Sequence, residues 1–265
     1  MDRLLARKKS SSNLSRKRSN SGTTMTPRDQ KPKEEKSAPE QPTPYGTLFD
    51  DQIFIHACCN LEDKNEARII QDISRFIVPS AESLALRNKN HKCLVKSVNK
   101  GWNNSIPFTT THPQPDYSVG FERDAFTEEQ LAKPSPFIGD FIPGDLSFSE
   151  ATYYMYFPFL TSEVTCGAAA LDITDRQNAH RMTLAVRAIV ELFRDVERED
   201  EVNRKTLAFS VSHDHQSVRI YGHFPVITGK DTEYYRYPIR KFNFTELDGK
   251  ERWTAYQFTK NVYDT

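Results

Sequence analysis

The sequence predicts an α/β (α+β) domain in which helices flank a mixed β-sheet, and three consecutive segments carry this prediction. Residues 159–164 are strongly apolar and have the length of a strand that is buried on both faces. Residues 175–199 place apolar side chains at helical spacing, and residues 206–212 form a second β-rich run. A strand, a helix and a strand in this order predict one right-handed crossover unit with two parallel strands.

The segments before the crossover predict helices. Residues 61–77 carry isoleucines and a phenylalanine on one stripe, and Asn60 directly before them has the chemistry of an N-cap. Pro79 ends this helix because proline lacks the backbone N–H that a helix interior requires. A second, weaker helix is expected over residues 81–98.

The remaining segments predict strands around the same sheet. Residues 117–121 alternate apolar and small residues, and residues 217–224 return as a strand after a turn. Aromatic residues within 232–260 predict further strands at the sheet edge. The polar, proline-containing residues 122–150, with one helix at 127–132, are interpreted as a surface insertion. The sequence therefore predicts one folded domain over residues 46–265.

Charge is divided unevenly along the chain. The 265 residues contain 36 Lys+Arg and 36 Asp+Glu, which gives a formal net charge of zero. Residues 1–45 hold 11 basic and 5 acidic residues, so this tail carries +6 and the remainder carries −6. The tail is rich in serine and proline and poor in large apolar side chains. Such a composition cannot bury enough surface to offset the entropy of ordering, and it predicts disorder.

Two basic clusters in the tail have either of two functional interpretations. One is a nuclear-import signal that an importin binds, and the other is an arm that binds nucleic acid. A solvated cationic tail without a receptor is the alternative to both. The import interpretation predicts an intracellular protein that is found in the nucleus rather than the cytoplasm. The clusters consist of Arg7, Lys8, Lys9, Arg16, Lys17 and Arg18.

Several function classes lack their signature in this sequence. No run reaches the roughly 18 apolar residues of a membrane-spanning helix, so no membrane partner is expected. The glycine-rich phosphate loops of P-loop and dinucleotide-binding enzymes are missing, as is the G-x-S-x-G turn of α/β-hydrolases. The four cysteines have no metal-ligand spacing, and reduced thiols in an intracellular protein are expected.

Two carboxylates occupy strand positions where a charge is costly. Asp116 precedes the strand at 117–121, and Glu163 lies near the end of the most apolar strand. An unpaired charge there costs several kcal/mol, so a cation is expected beside it. If the two strands are neighbours, the carboxylates and a backbone carbonyl near Val164 would form an oxygen-rich Mg²⁺ site suited to phosphodiester hydrolysis. A half-buried pair with Arg176 or Arg181 as partner is the alternative.

Motifs at these acids resemble a known superfamily. Pro115-Asp116, Glu163-Val164-Thr165 and a following helix with Gln177 resemble the PD-(D/E)XK nuclease-like superfamily. More narrowly, residues 157–221 are similar to an uncharacterised fungal protein family. The resemblance covers residues 48–260 and implies a restriction-endonuclease-like core.

The resemblance implies a role for each site residue. Asp116 and Glu163 would bind Mg²⁺ or Mn²⁺, and Gln177 would support the site. Thr165 stands where the superfamily has a lysine that positions the attacking water, and a threonine supplies no positive charge to the transition state. The resemblance therefore implies metal-dependent hydrolysis of nucleic acid that is weak or lost. The alternative is a catalytically inactive nucleic-acid or protein interaction module of the same fold.

Two further groups of residues suggest binding. Arg236, Arg240 and Lys241 alternate with aromatic residues and could contact a nucleic-acid backbone while the rings stack on bases. Cations that protect an edge strand are the favoured alternative. His213 and His215 have the His-x-His spacing of a metal site, but residues 213–216 are interpreted as a polar turn.

Overall fold

The computed structural model describes residues 46–132, 146–166 and 171–264, and all of them belong to one compact unit of the chain. The predicted tail, with both basic clusters, lies outside the described residues, as do residues 133–145 of the predicted insertion. Among the described helices, none has the length and apolar character needed to cross a membrane.

A mixed seven-stranded sheet organises the fold, as the sequence predicts. The strand order is β1-β2-β4-β5-β6-β7, with β3 paired to β4 outside this path. Only β4 and β5 are parallel, and every other recorded strand pair is antiparallel. The strands are β1 (Leu94–Val98), β2 (Tyr117–Phe121), β3 (Glu150–Thr152), β4 (Met155–Val164), β5 (Ala208–His213), β6 (Ser217–Thr228) and β7 (Asp231–Asn243).

The predicted crossover is confirmed. A 25-residue helix connects β4 to β5, and these strands pair in parallel from Leu160↔Phe209 to Val164↔His213. Residues Met182, Ala185 and Val186 of this helix are buried against the sheet, which follows the periodicity of the sequence. This helix is α6 in chain order, and the described α-helices are α1 (Asp51–Cys59), α2 (Glu66–Asp72), α3 (Ser74–Ile77), α4 (Ala81–Ala85), α5 (Glu128–Ala132), α6 (Leu171–Asp195) and α7 (Thr254–Asp264).

The predicted helix over residues 61–77 is divided into α2 and α3. Asn60, expected as an N-cap, instead ends α1. The N-cap of α2 is Asn65, whose side-chain oxygen accepts a hydrogen bond from the Arg68 N–H at 3.1 Å. A capping asparagine satisfies one of the free N–H groups at the start of a helix, so the helix begins where this bond can form.

The predicted helix over residues 81–98 is wrong for most of its length. Only α4 is α-helical, a 3₁₀ turn follows over Lys89–Cys93, and Leu94–Val98 form β1. All five residues of β1 pair with β2 in an antiparallel register. Pairing with a neighbouring strand therefore outweighs the weak helical periodicity of this segment.

The expectation of strands throughout residues 232–260 is half correct. β7 is a strand, but the C-terminal part is α7. Aromatic residues are common in strands, yet here they pack one side of a helix against the sheet. The Phe258 ring, for example, meets the Phe209 ring of β5 edge-on at 5.6 Å.

Two apolar layers cover the two faces of the sheet. One lies beneath α1, α2, α3 and α7, and the other lies beneath α6. Gly120 of β2 lies close against β4. A Cβ atom at position 120 would lie 2.7 Å from both the Met155 side chain and the Tyr156 carbonyl oxygen. A glycine is therefore required at this irregularity of the β2–β4 pair.

The edge strand β7 contains a β-bulge. Tyr221 pairs with Pro238 and Ile220 pairs with Arg240, so Ile239 is an extra residue on β7. Because side chains alternate along a strand, one extra residue reverses the side of the sheet that later residues face. Pro238, directly before the bulge, has no backbone N–H to donate.

Candidate active site around Asp116 and Glu163

The structure brings Asp116 and Glu163 together on adjacent strands. Tyr117 pairs with Ser162, so the two acids stand opposite each other across β2 and β4. Each carboxylate accepts a hydrogen bond from the other strand. Asp116 Oδ2 accepts from the Val164 N–H at 2.8 Å, and Glu163 Oε1 accepts from the Asp116 N–H at 3.1 Å. The acids therefore join the two strands beyond the end of the regular pairing.

Arg181 of α6 is the counterion of Glu163. Its Nη1 lies 2.9 Å from Glu163 Oε1, and both side chains are almost fully buried, at 8% and 5% exposure. Nη2 donates to the Gln114 carbonyl oxygen at 2.9 Å, whereas Nε is buried without a hydrogen-bond partner in the described part of the chain. Pairing of the acids with Arg176 or Arg181 is the alternative to a metal site, and Glu163 makes this contact with Arg181.

Burial dominates the electrostatics of both acids. It raises the pKa of Glu163 to about 8, while the charge of Arg181 acts in the opposite direction and Asp116 adds to the rise. Burial also raises the pKa of Asp116, against the Val164 N–H and Arg181. Two acids whose charges are both disfavoured are typical of functional sites and also of structural ion pairs.

The donor set around these acids does not suit a divalent cation. Mg²⁺ prefers about six oxygen ligands. Glu163 Oε1 is occupied by Arg181, and Asp116 Oδ2 is occupied by a backbone N–H. No group of three or more His, Cys, Asp or Glu side chains gathers as a metal site within the described residues. In this structure the two carboxylates bind backbone N–H groups and Arg181 rather than forming an open metal site.

The structure places Thr165 and Gln177 differently from what their expected roles require. Thr165 is buried, and its N–H donates to the His213 carbonyl oxygen at 3.0 Å, which extends the β4–β5 pairing by one residue. Gln177 is exposed on α6. One helical turn later, Arg181 is the residue that contacts the carboxylate, so it replaces Gln177 as the helix residue of this site.

Asn178 is a further buried polar residue of α6, and the sequence interpretation missed it. It is fully buried and accepts a hydrogen bond from Thr161 Oγ1 of β4 at 2.7 Å. Its amide donates to the Val211 carbonyl oxygen at 3.0 Å and to Ser212 Oγ at 2.9 Å, both on β5. Asn178 and Arg181 are three residues apart, and polar residues at helical spacing on an otherwise apolar stripe were the available signal.

A cavity of about 140 Å³ adjoins Asp116 on the side of α2 and α3. Arg75 and Lys96 contribute positive charges to its lining, and Ser162 and Val164 form its wall on β4. Lys96 Nζ donates to Ser80 Oγ at 3.1 Å and lies 3.5 Å from Glu82 Oε2. The cavity therefore combines one carboxylate with two cations, and neither cation was singled out from the sequence.

The three basic residues of β7 do not form one surface. Arg236 and Lys241 lie over the Tyr221 ring, 4.7 Å and 5.3 Å from its centre, although they are five residues apart. The bulge at Ile239 places them on the same side of the sheet. Arg240 faces elsewhere and pairs with Glu251 at 2.5 Å. Arg236 also donates to the Asp175 carbonyl oxygen.

The His-x-His segment is a buried strand end followed by a polar turn. His213 is completely buried at the end of β5, with Nδ1 3.0 Å from the Asp214 carbonyl oxygen. Asp214 Oδ1 accepts from the N–H groups of Gln216 and Ser217 at 2.7 Å and 2.6 Å, which confirms the predicted turn. Burial lowers the pKa of His213 to about 4, so this imidazole is neutral near pH 7.

Comparison with known proteins gives a family without an assigned activity. The family model described as "Domain of unknown function (DUF7924)" matches residues 53–265, which include every described strand and nearly all of the described helices. A search of curated proteins gave no match.

Proposed function

We propose that the chain, which belongs to the DUF7924 family, is a nuclease-like protein that binds nucleic acid and whose phosphodiester hydrolysis is weak or lost. The proposal joins the resemblance to the PD-(D/E)XK superfamily with the arrangement of the two acids. Three residues favour binding over hydrolysis: Glu163 and Arg181, which pair with each other, and Thr165, which carries no charge.

The buried ion pair between Glu163 and Arg181 is the observation that carries the proposal. A carboxylate that is to bind a divalent cation needs free oxygen lone pairs, whereas Glu163 Oε1 faces a guanidinium at 2.9 Å. Removing the arginine from this position would leave a buried charge unpaired, which is costly. Mg²⁺ or Mn²⁺ at Asp116 and Glu163 would thus have to displace an internal counterion, and no catalytic step is derived through such an ion.

The cavity beside Asp116 supports binding of a phosphate group. Lys96 and Arg75 bring two positive charges, and Asp116 one carboxylate, to the lining of a space of about 140 Å³ that is large enough for a phosphate. Phosphate contacts from lysine and arginine supply most of the non-specific affinity for nucleic acid. Thr165 adds no charge to the site, so the cations that could stabilise a transition state would have to come from this cavity.

We expect the purified chain to bind DNA while cleaving it no faster than variants that lack the acids. Plasmid and single-stranded DNA would be incubated with Mg²⁺ or Mn²⁺ and the wild type, Asp116→Asn or Glu163→Gln. The three rates should agree within about twofold, because the acids are held in an internal network. Asp124→Asn, an exposed acid, is the matched control.

Either of two results would contradict this proposal. Metal-dependent cleavage that both acid variants lose but Asp124→Asn retains would show an active nuclease. Absence of binding to both single-stranded and duplex nucleic acid would instead favour a protein interaction module.

The basic tail has a separate proposed role in nuclear import. Replacing the clusters at 7–9 and 16–18 by alanine should lower the nuclear-to-cytoplasmic ratio of a fluorescent fusion, because importins bind basic clusters. Alanine at Arg28, Lys31 and Lys33, matched to the replacement of either cluster alone, removes the same three positive charges from the tail and should leave the ratio unchanged. Equal effects of both replacements would point to overall charge rather than to a signal.

A further inference from the structure

Three aromatic rings form an exposed surface on β6 and β7, which we call the aromatic platform. Phe224 and Tyr235 are stacked, with ring centres 5.8 Å apart and planes inclined by 23°. The Tyr237 ring lies 5.9 Å from Phe224 at a steeper angle. Tyr235 and Tyr237 are 46% and 41% exposed, which is unusual for two neighbouring large rings.

The backbone beneath the platform is shaped to hold Tyr237. Gly222 is its cross-strand partner, and a Cβ atom at position 222 would lie 2.7 Å from the Tyr237 ring. The absence of a side chain therefore lets the ring lie against the strand. The Tyr237 hydroxyl is 3.1 Å from Thr206 Oγ1, and the Tyr235 hydroxyl donates to Glu233 at 3.0 Å. These contacts hold the edges of the rings, while Tyr235 and Tyr237 stay partly exposed to solvent.

Two cations flank the platform. Arg204 and Lys205 are exposed and directly precede Thr206, which contacts Tyr237. The Arg204 N–H donates to the Pro225 carbonyl oxygen at 2.9 Å, next to Phe224, and the Arg204 charge acts on the Tyr235 hydroxyl. No ion pair is recorded for either cation within the described residues, and Glu233 is the acid that touches the rings. Arg204 and Lys205 thus place two exposed positive charges next to the platform, although the body of the protein carries −6.

We propose that the aromatic platform binds unpaired bases of single-stranded nucleic acid, with Arg204 and Lys205 contacting the adjoining phosphates. This inference rests on the proposed function and names its ligand class and surface. Bases of any sequence stack on exposed aromatic rings, and cations beside the rings follow the backbone. In a duplex the base faces are already stacked on one another, so a platform of rings selects unpaired strands.

Pairing with a second copy of the chain fits this surface less well. A strand added to β7 needs a regular row of N–H and C=O groups. Pro238 lacks the N–H, and the bulge at Ile239 interrupts the register beside the platform.

The experiment measures fluorescence anisotropy of a labelled oligothymidylate with the full chain. Tyr235→Ala and Tyr237→Ala should each weaken binding about tenfold, because each removes one stacking face. Tyr235→Phe and Tyr237→Phe keep the faces and should bind as the wild type does. Tyr153→Ala removes a ring that is 72% exposed elsewhere and serves as the matched control. All variants retain residues 1–45, so binding by the tail is common to them.

A second pair of variants tests the cations. Arg204→Gln with Lys205→Gln should weaken binding and reduce its dependence on salt, whereas Lys89→Gln with Lys92→Gln, two exposed lysines, should not. Unchanged oligothymidylate affinity in both tyrosine-to-alanine variants, with their melting temperatures intact, would overturn the inference while leaving nucleic-acid binding by the chain in place. An equal loss for duplex DNA, or a change in oligomeric state by light scattering, would also overturn it.

Discussion

Acidification from pH 7.5 to pH 4 is expected to remove about 6 kcal/mol of stability through His213 and His223, about 3 kcal/mol from each. Burial lowers the pKa of His213 to about 4, and burial together with the Arg236 charge lowers the pKa of His223 to about 3. In the unfolded chain both imidazoles titrate near 6.5. The unfolded state therefore binds more protons throughout this range, and the stability present above pH 6.5 is lost as the pH falls.

Histidine-to-glutamine variants separate the pH-dependent stability of His213 and His223 from that of other titrating groups. Urea unfolding of His213→Gln and His223→Gln should show a decline between pH 7.5 and pH 4 that is about 3 kcal/mol smaller than in the wild type. His56→Gln, at an exposed position, should decline as the wild type does. Glu163 opposes the histidines because its pKa is raised, but all four proteins share it. An unaltered decline in His223→Gln would show that this imidazole is not held neutral.

Replacing Arg181 by methionine is expected to cost about 3–5 kcal/mol of unfolding free energy well above pH 8, where the Glu163 carboxyl is ionised. The substitution leaves the Glu163 carboxylate buried without its counterion and removes the bond to the Gln114 carbonyl oxygen. The double variant Arg181→Met with Glu163→Gln should recover much of this loss, since no buried charge remains.

A matched pair on the surface provides the control for this measurement. Arg198 makes two hydrogen bonds to Glu201, but both side chains are about half exposed. Arg198→Met should therefore leave the free energy of unfolding nearly unchanged. Equal losses of unfolding free energy in Arg181→Met and Arg198→Met would mean that Glu163 is protonated or reached by solvent. Such a result would contradict the role given to Arg181 in the proposed function.

The sequence was informative where one periodicity extended over many residues. The 25-residue α6 and the apolar β4 were predicted from their patterns, and with them the parallel pair that defines the fold. Short segments were ambiguous. β1 and α7 were assigned the wrong element because five to eleven residues with few apolar positions fit either period, and their partners are distant in sequence.

The candidate site was half predictable for a related reason. Placing Asp116 and Glu163 on adjacent strands required only the order of the strands. Predicting whether Gln177 or Arg181 contacts Glu163 requires knowing which side of α6 faces the sheet. The packing of the helix determines this orientation, and the sequence pattern alone does not give it. Lys96 reaches the cavity from β1, which the sequence pattern assigned to a helix, so its meeting with Arg75 of α3 and with Asp116 was not foreseeable.

The bulge in β7 has a consequence for solubility. A 13-residue edge strand with exposed rings would ordinarily invite other chains to extend the sheet. Here Pro238 lacks an N–H, and Ile239 is an extra residue in the strand. Together they divide the edge into two short segments, and the side-chain alternation of the second segment is shifted by one residue from that of the first. A fibril needs an uninterrupted ladder, so the irregularity that separates Arg240 from Arg236 also makes this edge a poor template for a further strand.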